Sequence, residues 1–141
     1  VKNKELFSFA LKLLSRRSYS EGEIREKLKE KAGEEEIETV IKKLKELKYM
    51  NDGELAEKIV EDCFKRNKGF HYIINQLFRR KIPQEIIKKI EENFDYEREF
   101  KIGEEVFLRN RNKNFSTILL NLKSKGFSYK TINRIGEKYG K

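Results

Sequence analysis

Of the 141 residues one is Pro, one is Cys, one is His, none is Trp and only eight are Gly. A lone cysteine, Cys63, excludes an intrachain disulfide framework and fits a reducing compartment. No apolar run approaches the roughly 18 residues a membrane span needs, and no basic-then-apolar leader opens the chain, so a cytoplasmic protein is expected. The single histidine, His71, has no Cys, Asp or Glu pattern around it that makes a zinc set, and no Gly-rich phosphate cradle is present. No catalytic residue, metal or cofactor is therefore assigned, and the chain is not expected to be an enzyme.

What remains is rich in Leu, Ile, Lys and Glu, with 37% hydrophobic and 40% charged residues, a composition for helices joined by short turns. The helices are written in a repeating register. Ile24, Ile73 and Ile118 stand 49 and then 45 residues apart, and each is followed four positions later by Leu28, Leu77 or Leu122. Leu14, Cys63 and Leu108 precede the isoleucines by ten, and Ile37, Ile86 and Ile132 follow as anchors of a further helix. Each unit then holds three short helices, too short to be stable alone and apolar on one face, so they must pack on one another. The fold expected is all-α, an elongated or curved tandem array of three three-helix repeats over 1–50, 51–95 and 96–141. Ser20 with Glu23 outlines a capping box, Gly33 is read as a helix breaker, Pro83 opens a helix where a missing N–H costs least, and Ser128 is a good N-cap.

The formal charge of +9 is unevenly spread. Arg109 to Lys141 holds nine basic residues against one acid, Glu137, and Cys63 to Gln84 holds six basic residues and no acid. Cations at helix C-termini complement the macrodipole, which accounts for about one per helix. Acid-free windows in equivalent places point further, to a polyanionic partner whose phosphates release counterions when neutralised. The residues assigned to that surface are Arg16, Arg17, Lys65, Arg66, Lys68, Arg79, Arg80, Lys81, Arg109, Arg111, Lys113, Lys123, Lys125, Lys130 and Arg134. Tyr19, Phe70, Phe115 and Phe127 lie near turns among these cations, placed either to stack on bases or to wedge between helices; their repeat positions favour the wedge. Cys63 occupies an apolar position of the repeat and reads as a packed thiol, and Glu34 to Glu36 as a helix-start acidic run.

These pieces together resemble the RecX regulatory family. "ALKLLSRRSYSEGEIREKL" (Ala10 to Leu28) is similar to its opening signature, "LKELKYMNDGELAEKIV" (Leu44 to Val60) to its Leu-rich helix and turn, and "KGF" (Lys68 to Phe70) and "KGFSYKTI" (Lys125 to Ile132) to its later motifs. Lys48 stands where the family usually has Gly, Leu55 where an aromatic is common and Phe70 where Pro is frequent. The resemblance implies a regulator that binds RecA and its filament on single-stranded DNA and modulates recombinase, ATPase and co-protease activity, with inhibition the expected direction; self-repulsion at +9 favours a monomer. The residues alone leave a second class open, a helical nucleic-acid-binding module that acts without a recombinase.

Overall fold

The computed structural model describes residues 3–140; Val1, Lys2 and Lys141, at the outer edges of the first and third expected repeats, lie outside them. Among the described residues there are nine α-helices and no strand. They are α1 (Asn3–Arg16), α2 (Glu21–Leu28), α3 (Glu34–Glu46), α4 (Asp52–Lys65), α5 (Phe70–Arg79), α6 (Gln84–Glu92), α7 (Tyr96–Arg109), α8 (Phe115–Ser124) and α9 (Tyr129–Tyr139). The all-α helical-repeat architecture follows, and the six register residues Ile24, Leu28, Ile73, Leu77, Ile118 and Leu122 are all buried. Packing divides the chain differently from the repeat. One compact unit takes residues up to Glu57 together with Leu77–Ile87, the other Lys58–Gln76 together with residues from Lys88 on.

The first unit is built on α1, α2 and α3, whose Leu6, Ala10, Ile24, Leu28, Ile37, Val40, Ile41 and Leu44 form one core with Met50. Helix α2 starts where a buried Ser20 closes a reciprocal capping box with Glu23, as its spacing suggests. It ends at Leu28, whose carbonyl takes the amides of Lys31 and Ala32. Gly33, expected to break α2, instead lies at the N-cap of α3 without a side-chain bond of its own. Pro83 sits similarly, its carbonyl accepting from Ile86 and Ile87, so it precedes α6 by one residue. The Glu21 amide at the start of α2 donates at 2.9 Å to Oδ1 of Asp52 on α4. Burial pushes the Asp52 carboxyl up, and this amide bond opposes that push.

In the second unit α7, α8 and α9 enclose Phe100, Val106, Phe107, Ile118, Leu122, Phe127 and Ile135. At its centre is Glu99, a fully buried acid on α7. Its Oε2 accepts the backbone N–H of Phe70 at 2.8 Å and of Ser128 at 3.0 Å. Oε1 accepts the hydroxyls of Ser128 at 2.6 Å and Thr131 at 2.5 Å. Ser128 in turn caps α9 by accepting from the Thr131 amide. One carboxylate therefore serves the N-termini of α5 and α9, neither of which has an acid in its own first turn. Proline at position 70 would lack the N–H that Glu99 takes.

Two Lys-Gly-Phe segments meet beside this carboxylate. The Gly69 amide donates to the Lys125 carbonyl at 3.1 Å and the His71 amide to the Gly126 carbonyl at 2.8 Å. A Cβ on Gly69 would lie 2.4 Å from the Phe127 Cα, so only glycine allows the backbones this close. Phe127 is buried in the core, and Phe70 packs edge-on against Phe94 with ring centroids 4.9 Å apart, the wedge role preferred for both.

Four helices end alike. After α3, α4, α5 and α8 the third residue past the helix donates back to the third-last helical residue, as Tyr49 does to Leu44, Lys68 to Cys63, Ile82 to Leu77 and Phe127 to Leu122. This closure needs a left-handed residue, supplied by Gly126 (φ 88°) but also by Lys48 (φ 63°), Asn67 (φ 61°) and Lys81 (φ 55°). A side chain there costs about 1–2 kcal/mol, partly offset for glycine by its greater unfolded-state freedom.

Two outcomes are expected. Lys48→Gly should raise stability by about 1 kcal/mol, read as a higher urea midpoint at unchanged denaturant dependence; an unchanged or lower midpoint would contradict the strain argument. Glu99→Gln turns an amide NH2 toward donors and should cost about 2–4 kcal/mol in the same titration, whereas a loss under about 1 kcal/mol would deny the carboxylate its central place.

Candidate polyanion interface

The structure sorts the fifteen candidate cations into three groups. Arg17, Arg80 and Arg134 are committed to carboxylates. Glu23 Oε2 accepts from Arg17 at 3.1 Å and from Arg80 at 3.0 Å, and Arg80 also donates to the Ser18 carbonyl at 2.8 Å. The capping-box acid of α2 is thus the hub that holds two expected binding residues in place. Arg134 pairs with Glu97 at 2.8 Å and lies over the Phe100 ring.

A second group rests on tyrosines. Arg66 and Lys68 both approach the Tyr72 ring, and Arg66 donates to the Tyr72 hydroxyl at 3.3 Å, while Lys130 lies over Tyr96. The Gly69–Lys125 backbone bond brings the chain at Lys68 beside that at Lys125, so the two acid-free windows meet at one corner of the second unit. Sequence reasoning did not single out Tyr72, although its place four residues after Lys68 at the start of a helix was a usable signal.

The third group comprises Arg16, Lys65, Arg79, Lys81, Arg109, Arg111, Lys113, Lys123 and Lys125. Among the described residues none of them forms an ion pair or sits on a ring, and all but the half-buried Lys125 are exposed. Arg16, Arg79 and Lys81 belong to the first unit with Arg17 and Arg80; the other candidates belong to the second.

Other charges are taken up structurally. Arg98 grips Glu61 through two bonds of 2.6 and 2.7 Å and so holds its carboxyl below the usual range. Lys138 and the Tyr139 hydroxyl do the same for Glu104, each at 2.6 Å. Cys63 is buried, and that burial pushes its thiol up despite the nearby Arg66 guanidinium. His71 contributes its amide to the α8–α9 turn and its ring to Phe70. The described residues hold no group of three His, Cys, Asp or Glu placed for a metal ion, and no helix among them is long and apolar enough to cross a membrane. What the arrangement offers a ligand is exposed positive charge beside hydrogen-bond donors, the chemistry of reversible anion binding.

A repeat of short helices carrying unpaired cations defines the class as an all-α helical-repeat protein, and comparison gives the family. Residues 7–44 match the family model described as RecX, first three-helix domain. The chain is 28% identical over 138 residues to the regulatory protein RecX of Caldanaerobacter subterraneus, covering 95% of this chain and 70% of that relative. It is 33% identical over 135 residues to the RecX of Clostridioides difficile, covering 89% of this chain and 64% of that one. The crystal structure of RecX from Lactobacillus salivarius superposes with a TM-score of 0.84 at 24% identity, over 98% of this chain and 96% of that one, a likeness of fold. A second crystal structure of a regulatory protein RecX gives 0.77 at 26% identity, over 96% of this chain and 73% of its own. The chain belongs to the RecX family of regulatory proteins.

Because Cys63 is enclosed, a thiol reagent added to the folded protein should react at least about tenfold more slowly than in strong denaturant. Equal rates in the two conditions would remove Cys63 from the packed interior.

Proposed function

We propose that the protein is a regulator of RecA that engages the recombinase filament on single-stranded DNA and restrains its recombinase, ATPase and co-protease activities. The observation that carries this reading is the similarity to regulatory proteins named RecX along 95% of the chain. The unpaired cations of the third group supply a physical means, since a RecA–DNA filament is a polyanion with a regular surface. Binding one filament state better than another is sufficient to change turnover without chemistry by the regulator itself. On this reading the chain acts in the cytoplasm as a monomer, with 1–50, 51–95 and 96–141 as its three repeats.

A second reading has its own support: exposed cations without carboxylate partners need no recombinase to attract DNA, so the protein would serve as an independent nucleic-acid-binding module. RecA's DNA-dependent ATPase separates the two. Titrating in the protein at fixed salt should lower the rate at less than one molecule per RecA. An unchanged rate at saturating protein, with tight salt-sensitive binding to bare DNA, would overturn RecA regulation in favour of the independent module.

A further inference from the structure

Resting on the filament reading above, we infer that the outer face of α8, with the turn leading into it, is where this protein touches single-stranded nucleic acid directly. The sequence carries no acid from Val106 through Gly136, and α8 lies wholly within that stretch. Arg109, Arg111 and Lys113 in the approach to α8, and Lys123 in its last turn, are exposed and belong to the unpaired group. Elsewhere a comparable exposed cation is often spent on the protein itself, as Arg17 and Lys138 are.

The geometry of the helix separates its two sides. Ile118 and Leu122 face the core, while Leu120 is 66% exposed. Ser116, Leu120, Lys123 and Ser124 fall at intervals of three and four, which places them along one stripe about 12 Å long. That stripe offers the Ser116 hydroxyl and the Lys123 ammonium as donors around one apolar side chain, the Ser124 hydroxyl being spent on the Asn121 carbonyl, and no acid to repel a phosphate. Arg109 and Arg111 add guanidinium forks suited to phosphodiester oxygens. A duplex keeps its bases stacked inside and leaves Leu120 without a contact, whereas a single strand turns unstacked base faces outward. The occupant that matches both the charge and the apolar side chain is a single strand.

Fluorescence anisotropy with a labelled oligothymidylate, measured across a salt series, tests this. Four substitutions, Arg109→Gln, Arg111→Gln, Lys113→Gln and Lys123→Gln, are compared with Lys12→Gln, Lys27→Gln, Lys42→Gln and Lys58→Gln, which remove the same charge from exposed, unpaired positions elsewhere. The wild type should bind. The α8 set should flatten the slope of log K against log salt by about 3, the value for four phosphate contacts on a single strand, and the control set by less than about 1. Leu120→Ala should weaken binding about three- to tenfold with the slope unchanged. The assignment is overturned by failure of the wild type to bind the oligonucleotide, or by equal effects of the two sets. It is overturned equally if polyglutamate of matched charge competes as well as unlabelled oligothymidylate, since α8 would then serve an acidic protein segment. RecA ATPase is read separately: a wild type that binds the strand through α8 but leaves ATPase untouched sinks the regulatory reading while the α8 assignment stands.

Discussion

A carboxylate cannot be buried without replacing the water it loses, and Glu99 obtains that replacement from four donors on two other helices. The dependence runs both ways. Helices α5 and α9 begin without an acid of their own, so their N-terminal amides and the positive ends of their dipoles need a negative group from elsewhere. Because one side chain on α7 satisfies both, the starts of α5 and α9 must converge on it, and the backbones of the two Lys-Gly-Phe segments are forced together. Gly69 and Gly126 are the residues that tolerate this contact, the former against Phe127 and the latter against the Tyr72 backbone. Glycine here is a consequence of where the carboxylate sits.

The same device occurs in the first unit. Glu21 and Phe70 hold the same place in the repeat, three residues before Ile24 and Ile73. Each donates its amide to a carboxylate on the first helix of the next sequence repeat, Asp52 for Glu21 and Glu99 for Phe70. The acids are not in matching positions, since Asp52 lies eleven residues before Cys63 and Glu99 nine before Leu108. What is repeated is an interaction between a helix start and the following helix, reached by different side chains. Such a bond also carries direction, because an N–H must meet the acceptor along a narrow cone, whereas apolar contact alone would leave the helices free to slide.

This explains which parts of the molecule could be read from the chain. Apolar register, capping boxes and helix starts are local, so the buried series from Ile24 to Leu122, the Ser20 box and the Ser128 cap were all visible. Glu99 was not, because in the run Asp95-Tyr96-Glu97-Arg98-Glu99 it looks like one more surface charge of a helix start. Nothing in its neighbours along the chain announces that its partners lie 29 and 32 residues away. The left-handed lysines carry no such signal in their own side chains, although the resemblance marks Lys48 as standing where the family usually has Gly. A Schellman turn is normally signalled by glycine, and Lys48 and Lys81 adopt its geometry without the signal. Gly33 was misassigned as a breaker because a glycine between two helical patterns can end one or begin the other, and only the path of the backbone decides.

Charge was the least transparent property. Fifteen cations looked equivalent in sequence, yet tertiary contact converts Arg80 into an internal strut on Glu23 and sets Arg66 and Lys68 against Tyr72. An arginine already paired with a carboxylate must give up that bond before it can grip a phosphate, so its net contribution to binding a polyanion is reduced by what it leaves behind. An exposed, unpaired cation loses only loosely held counterions. The capacity to bind a polyanion therefore follows the distribution of acids more closely than that of bases. Where an acid stands within reach, a cation is drawn into the fold; where the acids stop, as they do between Val106 and Gly136, the exposed cations outside α9 remain available to a partner.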